Sequence, residues 1–418
     1  MHEGTASRLE PLLRRILLGS PEQDAELPIR VRAWDGSEVG PEGAPVFALR
    51  HRRALRRLLW KPGELGLARA YVAGELDIEG DIFAALGAVQ RVMRGGDEPI
   101  RLGSDEKREI VRTAVMLGAV GPEPRPPDEE LPPGRRADEA VLPAEPNEFF
   151  RLLLGPALVY VCARWEGAAD LAEAQRTALD SVVSRLGLFP GARVLDLSAG
   201  WGGLAMYAAR LHRVRVVGLV RSPEQADHLR AEAARAGLTD RVEARQGGLR
   251  AAGGGPYDAV VGLSGAEHFG PDLPRIRELL APGGRLVLQQ IARRPGPHPI
   301  RRTFTTSYMF PEAGALWTLG DLVGAIETAG LEVRTVGALR EDYARTLRAW
   351  AANLQRHWDE CGALATPGRA RAWLLYLAAS ALACESGRIG MHEICAIRRD
   401  RDGRAGEALV AGREVLSR

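Results

Sequence analysis

Residues Val194–Arg210 read VLDLSAGWGGLAMYAAR. A short apolar run opens the stretch. A turn containing Gly200, Gly202 and Gly203 follows, and then small and apolar residues that suit a helix. An apolar run of this length bounded by turn residues reads as a buried strand. Glycine directly after it lets the backbone come close to a ligand and lets strand and helix pack tightly. The stretch therefore predicts strand, ligand-facing turn and helix.

The flanking chain repeats the pattern. Ala172–Gly187 (AEAQRTALDSVVSRLG) is an amphipathic helix ahead of the strand. Val214–Val220 (VRVVGLV) is a second strand. Ser222–Gly237 is a helix with a serine cap and proline in its first turn. RVEARQG, YDAVVGL (Tyr257–Leu263) and the run ending in LVLQQIA (Ala281–Ala292) supply three more strands. Strands alternating with helices imply an α/β fold with a parallel sheet and right-handed crossovers. Ligands in such sheets sit at the carboxyl ends of the strands, where the strand order reverses. The turn is not GxGxxG and no Walker lysine follows it. A nucleoside ligand without gripped phosphates suits it better, and S-adenosylmethionine answers that description.

The 418 residues suit two or three domains. Apolar content of 45 % and charged content of 26 % are ordinary for a globular chain, and a net charge of +2 gives no general reason to expect nucleic acid. Positive charge is concentrated early, in Arg14-Arg15, Arg30, Arg32 and HRRALRR (His51–Arg57). Two readings stay open for such a region: a solvated arginine-rich surface, or a face that attracts phosphate or anionic lipid headgroups. The four cysteines (Cys162, Cys361, Cys384, Cys395) form no CxxC pair, so neither a zinc site nor a disulfide framework is expected. Reduced thiols and the lack of a recognisable signal segment fit a cytoplasmic protein. No apolar run reaches the length of a membrane span. Ile29–Gly40 alternates as a hairpin, and Gly63–Asp81 has a helical middle between glycines. Residues 119–147 are rich in proline and read as an extended linker. The expected domains are residues 1–118, 119–147 as linker, and 148–418 as the Rossmann-like domain.

Several ordered segments resemble the cyclopropane-fatty-acyl-phospholipid synthase family of S-adenosylmethionine-dependent methyltransferases. GELGLARAYVAGEL is similar to its N-terminal domain, and LLLGPALVYVCARW (Leu152–Trp165) to its LGPSMTYSCAYW segment. AGWGG resembles the end of GCGWGG, AEHFG (Ala266–Gly270) its FEHVG, and YMFP (Tyr308–Pro311) its YIFP. DYARTLRAW (Asp342–Trp350) and LYLAASALACESGRIGMHEI (Leu375–Ile394) match its C-terminal segments. The resemblance is greatest to actinobacterial members that build 10-methyl or 10-methylene branched chains. It implies a class I methyltransferase sheet with a smaller α+β N-terminal domain for lipid contact. It also implies methyl transfer to the double bond of an unsaturated phospholipid acyl chain, at the membrane surface. Bicarbonate would act as proton acceptor, held by Cys162, Glu267 and Tyr343, with His268 as neighbour and Tyr308 and Phe310 near the reacting chain. Cofactor contacts would fall on Asn147, Tyr160, Ser198, Gly200, Trp201, Gly202, Gln225 and Gly248. A homodimer, or pairing with a related methyltransferase, is left open.

Departures from the family pattern gather around the cofactor. Of the HYDxSN motif only Asn147 survives in LPAEPN. Ser198-Ala199 replaces Gly-Cys, and a serine at a close-approach point would obstruct the ligand if its φ were positive. Val220-Arg221 and Gly247–Leu249 offer no carboxylate for ribose or adenine. Gln289 stands where the family holds bicarbonate with histidine, and its amide NH2 is the expected anchor. Each lost polar contact would cost about 1–3 kcal/mol. Two other readings therefore stay open: a cofactor-deficient lipid-binding or partner subunit, and a methyltransferase acting on a specialised metabolite.

Overall fold

The computed structural model describes residues 4–18, 26–61, 63–93, 104–131, 145–263, 269–296, 303–310, 315–400 and 402–403. Contacts divide the chain into two units. The first comprises Met1–Pro133, Arg301–Met309 and Cys361–Leu382; the second comprises the remaining segments.

Strands β1 (Arg30–Arg32), β2 (Glu38–Val39), β3 (Val46–Leu49) and β4 (Leu76–Glu79) form a sheet in the first unit, in the order β2-β1-β3-β4. The expected hairpin is present: β1 pairs antiparallel with β2, Val31 opposite Val39. The expected glycine-bounded helix spans Glu64–Val72. Leu9, Ile29, Val31, Phe47 and Leu76 form the core beneath the sheet.

Residues 119–131 of the proline-rich stretch contain no helix or strand, as expected of prolines, but they are not a free linker. Trp60 Nε1 donates to the Gly121 carbonyl at 3.0 Å, and Arg57 Nη1 donates to the Arg125 carbonyl at 2.8 Å. Arg69 forms a bidentate pair with Glu130 at 2.7 and 2.9 Å and also reaches Glu123 at 3.0 Å. Tyr308, itself buried, donates its hydroxyl to Glu130 at 3.2 Å. Residues 119–131 thus belong to the first unit, and residues 132–144 lie outside the described ones. The segments around residues 301–309 and 361–382 join the same unit, so the division is not the linear one expected. Buried charges must find partners wherever the fold supplies them, and composition alone does not reveal such long-range ties.

In the second unit the five expected strands are β5 (Arg193–Asp196), β6 (Arg215–Val220), β7 (Val242–Gln246), β8 (Tyr257–Gly262) and β9 (Leu280–Arg293). Strands β10 (Glu332–Ala338) and β11 (Ile389–Ile397) complete the sheet, in the order β10-β11-β9-β8-β5-β6-β7. The pairs joining β9, β8, β5, β6 and β7 are all parallel. Strand β11 runs antiparallel to both neighbours. The chain order reverses between β5 and β8, which places the ligand crevice at their carboxyl ends. Helices cover both faces, so the inner strands are nearly continuously apolar. The helix Leu171–Leu186 packs on one face, with Ala178, Val182 and Val183 in its core. Its ends are set locally: Asp170 accepts from Glu173 N at 2.8 Å, and Gly187 takes the left-handed conformation that closes helices.

Arg69→Met should leave the Glu130 carboxylate buried with its main partner gone. Urea denaturation should show a loss of about 3–5 kcal/mol. Adding Glu130→Leu should recover much of that loss.

Candidate functional site

Strand β5 ends at Asp196, which is 2 % exposed, and its carboxylate accepts from Ser198 N at 3.1 Å. Ser198 Oγ in turn accepts from Leu263 N at 3.0 Å, at the end of β8. Ser198 is not among the positive-φ residues, which apart from glycine are Leu158 and Arg213 within the described chain. The serine therefore braces β5 against β8 instead of obstructing the turn. Ala199 is equally accommodated, because its methyl lies against Gly218, where an added Cβ would come within 2.8 Å of it.

The turn itself needs its glycines for two different reasons. Gly202 has φ +90°, and a Cβ there would come within 2.1 Å of the Leu229 side chain. Gly200 has φ +54°, and a Cβ there would meet nothing nearer than the Ser198 carbonyl at 4.0 Å. One glycine lets helix and turn pack, while the other leaves a space at the switch point. Trp201 lies between them and donates its indole N–H to Asn147 Oδ1 at 2.7 Å. Its ring also rests on Phe150, centroids 4.6 Å apart. The surviving asparagine thus fastens the helix Asn147–Leu154 to the glycine turn. Gln225 is occupied: its N–H is capped by Ser222, and its Oε1 accepts from Arg221 N at 3.0 Å. It shapes the loop after β6. A Cβ on Gly248 would meet nothing within 4 Å, so the end of β7 is open as well. An open Gly200 and Gly248 beside strand ends fit a nucleoside cofactor held largely by backbone.

A second cluster lies on the segment Tyr160–Trp165 and the start of the helix Arg340–Arg356. Tyr160 stacks on Trp350, centroids 5.0 Å apart, and is therefore tied to that helix. Cys162 is 1 % exposed and lies 3.8 Å from the Leu339 carbonyl, to which its S–H can donate. Tyr343 N donates to the same carbonyl at 2.9 Å, so the first turn of that helix and the Cys162 thiol share one acceptor. Burial, with the Asp342 carboxylate second, pushes the Cys162 thiol well above its usual range. It is a neutral donor, not a thiolate.

Gln289 lies on β9 opposite Glu393 of β11. Its Nε2 donates to Glu393 Oε2 at 3.0 Å, and both residues are at most 2 % exposed. Glu393 Oε1 takes Arg164 Nη2 at 3.0 Å and also pairs with Arg185. The carboxylate fixes the amide orientation, since the flipped amide would set oxygen against oxygen. The Gln289 carbonyl oxygen is buried without a hydrogen-bond partner. The expectation that the amide NH2 holds an anion is thus amended: that group serves Glu393, and the carbonyl is the side that stays available. Arg164 sits two residues after Cys162 and links this network to the first.

The structure therefore links Cys162 to Gln289 through Arg164 and Glu393, and ties the Cys162 thiol and the Tyr343 backbone to Leu339. Glu267 and His268 lie outside the described residues. Tyr308 falls in the first unit with its hydroxyl engaged by Glu130. Glu393, Arg164 and Arg185 were missed by the sequence reading. A carboxylate inside the apolar GRIGMHEICAI run was the available signal. Among the described residues no group of side chains has the makings of a metal site.

A seven-stranded sheet of this order, with one reversed strand and a glycine turn after the central strand, is the class I methyltransferase fold. A family model described as mycolic acid cyclopropane synthetase matches residues 145–394. A probable fatty acid methyltransferase of Mycobacterium tuberculosis is 33 % identical over 403 residues, spanning 90 % of this chain and 92 % of that protein. A tuberculostearic acid methyltransferase of the same organism is 30 % identical over 400 residues, spanning 89 % and 88 %. The solved structure of a mycolic acid cyclopropane synthase complexed with SAH and CTAB superposes with a TM-score of 0.57. It is 26 % identical and covers 63 % of this chain and 99 % of that one. The chain belongs to the mycolic acid cyclopropane synthetase family and is an S-adenosylmethionine-dependent methyltransferase.

The two glycines should separate cleanly. Gly202→Ala should lower stability by about 2–4 kcal/mol in urea, from strained backbone and overpacking. Gly200→Ala should cost about 1 kcal/mol but weaken S-adenosylhomocysteine binding measured by calorimetry. Cys162 should resist a thiol-reactive dye in the folded protein and react once urea is added. Its raised pKa favours the neutral folded form, so this contribution is present below the usual thiol value of 9.0 and is lost as pH rises above it.

Proposed function

We propose that the protein transfers the methyl group of S-adenosylmethionine to the double bond of an unsaturated fatty acyl chain in a phospholipid. The observation that carries this reading is the pairing, in one unit, of an open glycine turn with the buried network that links Cys162 to Gln289 through Arg164 and Glu393. Bound S-adenosylmethionine supplies an electrophilic methyl group. The alkene's electron pair forms the new C–C bond as the C–S bond breaks, leaving S-adenosylhomocysteine and positive charge on the acyl chain. Loss of a proton from that chain then gives a cyclopropane or a methylene branch. A saturated methyl branch would need a further reductant. Val159, Val161 and Trp201 are buried, and an apolar surround of that kind is what keeps water from a charged chain.

The cluster fits bicarbonate as proton acceptor, the role the family resemblance implies. That ion carries one O–H, and the Gln289 carbonyl is a buried acceptor in need of a donor. The Cys162 S–H and the Tyr343 O–H are donors of the kind its oxygens need. We place the enzyme on the cytoplasmic side, peripheral at the inner face of the membrane, where phospholipid chains are reached from water. Among the described residues no helix is long and apolar enough to cross a membrane.

Incubation with labelled S-adenosylmethionine and an oleoyl phospholipid should move label into the acyl chain. Absence of both label transfer and calorimetric heat with S-adenosylhomocysteine would overturn the reading. Gln289→Leu removes the orphan carbonyl. It should lower kcat by about a hundredfold or more, the usual scale of general acid–base groups, with S-adenosylhomocysteine affinity unchanged.

A further inference from the structure

Nine large apolar side chains stand exposed among the described residues, and five of them occur close together in the first unit. Val111, Val115 and Met116 lie on the helix Ser104–Met116 and are 55–60 % exposed. Val120 follows that helix, 56 % exposed, and Trp60 ends the helix Arg53–Trp60, 51 % exposed. Contacts join them into one surface. Trp60 Nε1 donates to the Gly121 carbonyl, next to Val120. One and two turns earlier on the same helix face are Arg56, whose guanidinium lies at Gly121, and Arg52, which lies at Gly118.

The surface is basic as well as apolar. A cavity is lined by His51, Arg52, Arg53 and Arg56 and by the chain at Gly118–Val120. Arg53 is paired with Glu75, but Arg52 and Arg56 have no acidic partner among the described residues. Arg56 Nε is buried without a hydrogen-bond partner. Beside the cavity, Arg108 and Arg112 stand exposed among Val111, Val115 and Met116 at spacings of three and four, which place all five on one helix face. Isolated exposed apolar residues are ordinary, but a contiguous group ringed by arginine marks an interaction surface.

We propose that this face docks the protein on an anionic phospholipid bilayer. A headgroup phosphate occupies the Arg52–Arg56 cavity, and Val111, Val115, Met116 and Trp60 enter the acyl boundary. The charge selects this occupant. Arg52 and Arg56, with no acidic partner among the described residues, suit a phosphate-bearing surface, and an apolar stripe beside them suits the layer just beneath the headgroups. The same cations would repel one another across an interface between two copies of this face. The inference rests on reading the substrate as a membrane phospholipid, and it names the part of the chain that reaches that membrane.

The test uses the full chain and vesicles of phosphatidylcholine with and without phosphatidylglycerol. Sedimentation should show preferential binding to the anionic vesicles. Arg52→Gln/Arg56→Gln should weaken it about 25-fold, at roughly fivefold for each arginine. Val115→Ser/Met116→Ser should weaken it too, with an effect that persists in high salt. Both variants should keep full methyl transfer to an oleoyl phospholipid dispersed in detergent while losing it on vesicles. Vesicle binding by both variants equal to that of the unaltered protein overturns the docking surface. So does a dimer in ultracentrifugation that these variants dissociate without changing vesicle binding. If the unaltered protein transfers no methyl group in detergent, the functional reading falls instead, and the vesicle measurements still decide the docking surface by themselves.

Discussion

The ladder between β9 and β11 is the constraint on which the site depends. Its register sets Glu393 directly opposite Gln289. A buried carboxylate must be paired, and here Arg164, Arg185 and the Gln289 amide do so together. The consequence reaches beyond stability. Arg164 holds the segment carrying Cys162, and Leu339, which receives both Cys162 and Tyr343, donates its own N–H to Met391 of β11 at 2.8 Å. One antiparallel strand therefore anchors Gln289, the segment carrying Cys162 and the first turn of the helix carrying Tyr343, which come from three distant parts of the sequence.

The glycine turn shows how a departure from a family pattern can be absorbed. Serine in place of glycine looked like an obstruction, because a side chain near a bound ligand needs room. In the structure the hydroxyl satisfies the Leu263 N–H. A buried backbone donor needs an acceptor, and the serine supplies one from the far side of the turn. Asn147 keeps its place for a similar reason, as the acceptor for the Trp201 indole. The positions that retain an opening, Gly200 and Gly248, are those where backbone alone faces the crevice.

The first unit is held by charge pairs more than its composition suggests. Arg57–Glu75 and Arg69–Glu130 are both buried, and each also secures the proline-rich stretch or a residue beside it. Arginine suits this because its planar fork binds a carboxylate bidentately and has donors to spare for a carbonyl. The arginines whose partners are missing are correspondingly informative. Within one basic run, Arg57 is structural, whereas Arg52 and Arg56 face a cavity.

The sequence by itself determined the α/β alternation, the five parallel strands, the N-terminal hairpin, the capped helices and the glycine turn. Each of these is written in local periodicity and turn chemistry, which act over a few residues. The family was legible for the same reason, through short ordered motifs. Only the tertiary structure decided that the Ser198 hydroxyl engages the chain at the end of β8 and that Gln289 presents its carbonyl. It also decided that Glu393 organises the cluster, and that residues 119–131 belong to the first unit. Those outcomes depend on which partners lie across a sheet or a long loop. A buried polar group takes whatever partner the fold brings within hydrogen-bonding distance, and sequence spacing does not encode that distance.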